Sequence, residues 1–376
     1  MTGAHGEPGN RIPVTILTGF LGSGKTTLLA KLLRHAAMGR TAVIINEFGE
    51  IGLDHDLIES SEETEVTLMG GCLCCTVKGD LIDTLRRLYV RRTKNEVPYF
   101  ERMVIETTGL ADPAPVLQSI MADRMLDHYY RLDGVVTLVD AANGMDTLDR
   151  HQEAVKQAAV ADRIVITKTD LAKDRAIASL RVRLAALNAG ARILEARHGD
   201  IHPDALLHAG LFDPATKSAN VQRWLNEEAY AAHHHHGHHH DSDHHHDHTH
   251  DVNRHDKHIQ AFCLRHPTPI PSSAADFFWD MLTSQRGSDL LRVKAILNIA
   301  ETPDTPMMLH AVQHVVHAPA YLDAWPSDDR DSRMVFITRD VPREAIGQLL
   351  NALLDAGEPR NAVDETPRSA AAEPVR

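Results

Sequence analysis

The chain has 376 residues, 43% of them hydrophobic and 24% charged, which suits two globular domains joined by less compact segments. Its formal net charge of -13, counted with neutral histidine, excludes the basic face of a nucleic-acid binder. No apolar run approaches the ~20 residues that span a bilayer, and the polar start from Met1 to Arg11 lacks the apolar stretch of a signal peptide, so a cytoplasmic location is expected.

In chain order, short β-branched runs alternate with helical patterns. Val14–Thr18, Thr41–Asn46, Met103–Glu106, Gly134–Asp140 and Arg163–Thr167 read as strands buried on both faces, because they show little alternation. Thr26–Ala36, Asp80–Arg91, Ala114–Asp123, Gln152–Ala159 and Ala176–Asn188 read as the intervening helices. The pattern predicts a doubly wound, mostly parallel α/β sheet with ligands at the strand C-terminal ends. From His233 to His258 the chain is mainly His and Asp and cannot bury a core. A second pattern starts at Ile259. Ile259–His266, Leu290–Ile299, Pro306–His317 and Arg333–Thr338 read as strands. Ser273–Ser284 reads as a helix with a Ser cap and a Phe277/Phe278/Met281/Leu282 face, and Pro342–Leu354 as a closing helix. The expected organisation is a flexible tail over 1–11, an α/β domain over 12–213 and a linker with the His-rich segment over 214–258. A smaller α+β domain over 259–356 and a disordered tail over 357–376 complete it.

Gly19-Phe20-Leu21-Gly22-Ser23-Gly24-Lys25-Thr26 fits the phosphate-loop pattern G-x-x-x-x-G-K-[ST]. Its glycines (Gly19, Gly22, Gly24) let successive N–H groups, Ser23 among them, turn toward phosphate oxygens. Lys25 is placed to neutralise the β/γ-phosphates, Thr26 to ligate Mg²⁺, and Thr27 to meet the α-phosphate at the helix start. A chance match in a Gly-rich loop is the plainer alternative, and the strand before it and helix after it oppose that.

Thr167-Lys168-Thr169-Asp170 follows a strand. A carboxylate there accepts from the guanine N1–H and N2 amine, a pair of donors that adenine lacks, while Lys168 packs its stem over the ring. An ordinary Lys-Thr-Asp turn is the weaker reading. Met103-Val104-Ile105-Glu106-Thr107-Thr108-Gly109 reads as a strand ending in a carboxylate, so Glu106 holds Mg²⁺ directly or through water and the Gly109 N–H senses the γ-phosphate. A surface acid at a strand end is the bland alternative. Asn46-Glu47-Phe48-Gly49-Glu50 is the candidate first switch.

Gly70-Gly71-Cys72-Leu73-Cys74-Cys75 places three of the four cysteines within four residues. That spacing builds no disulfide framework and suits one soft cation such as Zn²⁺. A fourth ligand must come from elsewhere: a carboxylate such as Glu50, a His, water or a partner. Inert buried thiols or a redox pair are the competing readings. Cys263, alone in an apolar strand, reads as core. The imidazoles of His233–His240, His244–His248, His250, His255 and His258 suit Zn, Ni, Cu or Co as a string of exchangeable sites, against the alternative of a solvated linker. His198 and His202 read as turn or surface residues.

GFLGSGKTTLL, INEFGE, GGCLCC, ETTGLADP and TKTD, in this order, resemble the CobW family of P-loop GTPases, related to nickel-inserting urease and hydrogenase accessory GTPases. Ile259 to about Leu354 is similar to that family's C-terminal domain. The resemblance implies a GTP-hydrolysing metallochaperone with GTP, Mg²⁺ and Zn²⁺ (Co²⁺ or Ni²⁺ in some relatives). It implies that Cys72, Cys74 and Cys75 hold the cargo metal, that Gly22 to Thr27 hold phosphates and Mg²⁺, and that Thr167, Lys168 and Asp170 hold guanine. Thr167 stands where many GTPases carry Asn. The partners implied are a client metalloprotein and, as an option, further copies of the chain, with neither nucleic acid nor membrane. A His-rich metal buffer or sensor with incidental GTPase activity, a cobalt or nickel insertion factor and a small-molecule P-loop kinase are the alternatives. The Asp170 guanine signature speaks against the kinase.

Overall fold

The computed structural model describes residues 11–46, 64–69, 72–77, 81–207 and 258–357, of which 46, 64–69, 72–77, 356 and 357 are described by their backbone only. Glu50, the rest of the expected first switch after Asn46, the two tails and the His-rich stretch from 233 to 257 lie outside the described residues.

The N-terminal domain is built on an eight-stranded sheet. Its strands are β1 (Ile12–Gly19), β2 (Thr41–Asn46), β3 (Thr64–Met69), β4 (Cys72–Val77), β5 (Arg102–Thr107), β6 (Tyr130–Asp140), β7 (Arg163–Thr167) and β8 (Arg192–Ala196), in the spatial order β3-β4-β2-β5-β1-β6-β7-β8. Only β3 is antiparallel to its neighbour. Helices lie on both faces: α1 (Lys25–Leu32), α2 (Leu81–Thr93), α3 (Ala114–Ala122), α4 (Arg124–Tyr129), α5 (Gly144–Arg150), α6 (Gln152–Ala159), α7 (Asp174–Leu187) and the short α8 (Pro203–Leu206). Alternate strand residues explain the unbroken apolar runs. Ile16, Ile44, Met103 and Ile105 pack toward α2, α3 and α4, while Leu17, Val43 and Val104 pack toward α1. A strand covered twice must be apolar at every position.

The second domain is an antiparallel sheet in the order β12-β11-β10-β14-β9, with β13 paired to β11. Its strands are β9 (Ile259–His266), β10 (Leu290–Leu297), β11 (Met307–Val312), β12 (Val315–Val316), β13 (Ala320–Tyr321) and β14 (Ser332–Arg339). Helices α9 (Ser272–Arg286) and α10 (Arg343–Gly357) cover one face through Phe278, Trp279, Leu282, Ile346 and Leu350. The other face packs on the nucleotide domain, where Leu291, Val312 and Ile337 join the core of α2, α3 and α4.

Within this domain the hairpin, the buried face of α9 and its cap differ from the sequence expectation. The stretch expected as one strand from Pro306 to His317 is a hairpin. It turns at Gln313, whose backbone is left-handed (φ 52) and whose N–H donates to the Leu290 carbonyl at 2.8 Å. The polar pair Gln313-His314 breaks the apolar run, and His314 fits against Gly287, where a Cβ would lie 2.1 Å from its ring. On α9, Phe277 is 53% exposed and Trp279 is buried in its place. That helix also takes its N-terminal cap from the Glu301 carboxylate, which accepts from the Ser272 N–H, rather than from a serine side chain. Cys263 is buried among Ile296, Met308 and Val335, as a core residue should be.

Candidate functional site

Every nucleotide motif ends at one edge of the parallel sheet. The register sets Leu17 opposite Glu106, Asn46 opposite Thr107, Asp140 opposite Thr167, and Thr167 opposite Ala196. Strand C-terminal ends gather there because a parallel sheet turns all its strands the same way.

The phosphate loop leaves β1 at Gly19 (φ 145), passes Gly22 (φ 72) and enters α1 at Gly24 (φ 90). At Gly19 a Cβ would stand 2.5 Å from the Leu138 carbonyl, so only glycine permits the loop to press against β6. The Lys25 ammonium is buried and donates to the carbonyls of Gly19 (2.7 Å) and Phe20 (3.2 Å), folding over the loop. Burial lowers its pKa and the Glu106 carboxylate partly opposes that shift. Thr26 and Thr27 are exposed at the helix start, where backbone N–H groups and the helix dipole favour an anion.

Glu106 is buried at the end of β5, and its Oε1 accepts from the Thr26 hydroxyl at 3.1 Å. A hydroxyl and a carboxylate side by side are hard oxygen donors of the kind Mg²⁺ takes, so these residues fit that ion. Beside them a buried Thr107–Thr18 hydrogen bond of 2.8 Å ties β5 to β1. Gly109 follows and lies against the loop, where a Cβ would come within 2.6–2.8 Å of Leu21.

At the other end of the sheet edge, the buried Thr167 hydroxyl donates to the Ser23 carbonyl at 2.7 Å. Thr167 thus braces the phosphate loop. Lys168 is left-handed (φ 54), which turns the chain sharply after β7, and its ammonium reaches Asp140 at 2.8 Å. Burial pushes the Asp140 carboxyl up, but Lys168, the Ala142 N–H and the Asn143 amide outweigh it and hold the group below its usual range. Asp170 accepts from the His198 N–H at 3.4 Å, and its other oxygen lies 3.3 Å from the His198 imidazole. Sequence reasoning missed Asp140, although a strand ending in Val-Asp matches the Glu106 pattern. His198, expected as a turn residue, is one (φ 53), but its turn delivers it to Asp170. His202 caps α8 through the Asp204 N–H at 3.3 Å.

The cysteines take a place in the fold that the sequence did not suggest. Cys72, Cys74 and Cys75 lie on β4, beside β2, in a hairpin with β3. Cys72 begins the strand, opposite Met69, at the sheet edge away from the phosphate loop, whereas Val77 ends it opposite Asn46. At about 3.3 Å per residue, Cys72 is roughly 17 Å from the nucleotide edge. Strand positions alternate, so 72 and 74 share one phase and 75 the other. Among the residues whose side chains are described, which leaves out the cysteines of β4, no cluster of three or more His, Cys, Asp or Glu is close enough to hold a metal, and among the described residues no helix is long and apolar enough to cross a membrane.

Comparison with known proteins agrees with this geometry. A family model described as "CobW/HypB/UreG, nucleotide-binding domain" matches residues 13–195, and one described as "Cobalamin synthesis protein cobW C-terminal domain" matches 259–354. The zinc chaperone YjiA of Escherichia coli is 34% identical over 337 residues, 90% of this chain and 97% of that one. The zinc-regulated GTPase metalloprotein activator 1 of Schizosaccharomyces pombe is 37% identical over 202 residues, 52% of this chain and 48% of that one. The crystal structure of Zn(II)-bound YjiA GTPase superposes with a TM-score of 0.69 at 32% identity, covering 92% of this chain and 99% of that one. The chain belongs to the CobW/HypB/UreG family of P-loop GTPases and carries the CobW C-terminal domain.

Proposed function

We propose that this GTPase is a cytoplasmic metallochaperone that takes up a transition metal, Zn²⁺ first, at Cys72, Cys74 and Cys75 and passes it to a client metalloprotein in step with GTP hydrolysis. The observation that carries the reading is the position of the cysteine strand. β4 pairs directly with β2, and the segment joining β2 to β3, with Glu50 in it, starts and ends at the nucleotide edge, next to Thr107 and Val77. A γ-phosphate bound at that edge acts on the ends of both strands flanking the thiols. Full-length likeness to a zinc chaperone and to a Zn(II)-bound GTPase supports zinc as cargo.

In this reading Gly19, Gly22, Ser23, Gly24, Lys25, Thr26 and Thr27 hold the phosphates, Thr26 and Glu106 hold Mg²⁺, and the Gly109 N–H senses the γ-phosphate. Mg²⁺ supplies charge neutralisation at the β/γ oxygens. Asp170 and Lys168 receive guanine, and Thr167 supports them through the phosphate loop. Three thiolates in two strand phases cannot meet one ion in a regular strand, so uptake opens β4 at its Cys72 end. The His-rich segment serves as a reservoir that feeds this site.

The test is equilibrium Zn²⁺ binding with a non-hydrolysable GTP analogue, with GDP and without nucleotide, in wild type and in a Cys72/Cys74/Cys75→Ser variant. A stoichiometric site that weakens at least tenfold from analogue to GDP and vanishes in the variant is expected. Equal affinity in all nucleotide states would reject delivery. Loss of all metal binding on deleting 233–257 would favour a buffer instead.

A further inference from the structure

Helix α6 lies between the segment after β5 and the C-terminal domain, and none of the sequence motifs lies on it. Its Gln157 is fully buried. The Gln157 amide donates to two backbone carbonyls of the segment after β5, those of Gly109 at 3.2 Å and Ala111 at 3.0 Å. The Gln157 backbone carbonyl accepts from the buried Thr137 hydroxyl of β6 at 2.7 Å. One residue earlier, the Lys156 ammonium lies 3.3 Å from Asp112 of the same segment. Before the helix, the His151 ring stacks on Phe20 of the phosphate loop with centroids 4.4 Å apart. The segment from Gly109 to Ala111 is thus held between Leu21 on one side and the Gln157 amide on the other.

The C-terminal turn of α6, directly after Gln157, is held firmly as well. The Asn188 amide donates to the carbonyls of Ala158, Ala159 and Ala161 at 2.8–3.0 Å. Arg292 of the C-terminal domain donates to the Val160 carbonyl and to both oxygens of Asp162 at 2.7 Å. Gln157 stands one residue before Ala158 and three before Val160, so these contacts grip the same turn and fix the backbone that carries its amide.

We propose that Gln157 is a positioning residue for GTP hydrolysis: it sets the Gly109 N–H against the γ-phosphate, and the C-terminal domain braces it from behind through Arg292. This rests on the assignment of Gly109 as the γ-phosphate sensor. GDP lacks the group that Gly109 reads, so the Gln157 contact matters to the hydrolytic step and little to GDP binding. A misplacement of about an ångström at such a step costs on the order of 100-fold in rate.

The experiment measures kcat and KM for GTP, together with GDP affinity, in full-length wild type, Gln157→Met and Arg292→Met. Gln157→Met keeps the volume and removes both donors. The expected result is a fall in kcat of tenfold or more with GDP affinity within twofold, and a smaller fall in kcat for Arg292→Met. Should the methionine variant not fold, Gln157→Asn, which keeps a buried amide one methylene shorter, is read by the same criterion. Unchanged kcat in a folded Gln157 variant, or equal loss of GDP and GTP binding, would overturn the proposal. Absence of GTP hydrolysis in wild type would instead strike the reading of the site itself.

Discussion

A methyl group at Gly109 has nowhere to go, because the Leu21 backbone already fills its place. Gly109→Ala should therefore push the segment off the phosphate loop and lower the single-turnover hydrolysis rate by at least tenfold, with GDP affinity little changed. Asp170 makes a sharper chemical test. A carboxylate accepts from two guanine donors, and an asparagine replaces one acceptor with a donor. Asp170→Asn should lose GTP affinity by on the order of 10–100-fold and gain affinity for xanthosine triphosphate, whose 2-carbonyl accepts where guanine donates. Competition binding with the two nucleotides decides it. His310 gives a pH prediction. Burial first, then the charges of Lys294, Arg292 and His317, hold its pKa well below the ordinary value. The unfolded chain takes up a proton near pH ~6.5 while the folded chain does not. This contribution to stability is therefore complete above that pH and is lost on acidification, by at most about 1.4 kcal/mol per pH unit. Denaturant melts at about pH 7 and pH 5.5 should show a fall that His310→Leu flattens.

Among elements, β7 carries more than its five residues suggest. Its last side chain, Thr167, ties the Lys168–Asp170 turn to the phosphate loop through Ser23. Thr167→Val keeps the shape and leaves the Ser23 carbonyl without that donor, a cost of about 1–3 kcal/mol when buried. The expected effect is a loss of at least fivefold in affinity for both GDP and GTP by calorimetry, in contrast to the Gln157 variants. The strands and helices with strong periods, β1, β2, β5, β7, α3 and α6, were legible in the chain to within a few residues. Burial on both faces leaves an unbroken apolar run, and one-sided burial leaves a 3.6-residue stripe. The edge strand β8 is half-exposed and has no such signature. Three of the first four residues of β4 are cysteines rather than β-branched residues, and it is a strand because it pairs with β2 and β3.

At the scale of the molecule, the two domains are joined by buried charge. Asp162 of the nucleotide domain meets Arg292 (2.7 Å) and Lys294 (2.6 Å) of the C-terminal sheet and accepts from the Val135 N–H at 2.9 Å. Burial raises the Asp162 pKa, but the two cations outweigh it and the carboxylate stays ionised; burial brings Lys294 down to about 8. Removing one partner of a buried cluster strands the others, at a cost of about 3–5 kcal/mol. Asp162→Ala should split thermal unfolding into two transitions, one per domain, and open the junction to limited proteolysis. A single unshifted transition would show that the apolar contacts of Leu291, Val312 and Ile337 hold the domains without it.

The sequence alone determined the phosphate loop from Gly19 to Thr26, the carboxylate at Glu106, the turn after β7 that carries Asp170 and the division into two domains. Each is a contiguous stretch whose spacing the covalent chain itself imposes, so neighbours in sequence are neighbours in space. Only the tertiary structure placed Gln157 on the carbonyls of Gly109 and Ala111, His198 on Asp170, and Arg292 on Asp162. Those pairs lie 28 to 130 residues apart and carry no local period. Their meeting is decided by strand order and helix packing, which no single segment encodes.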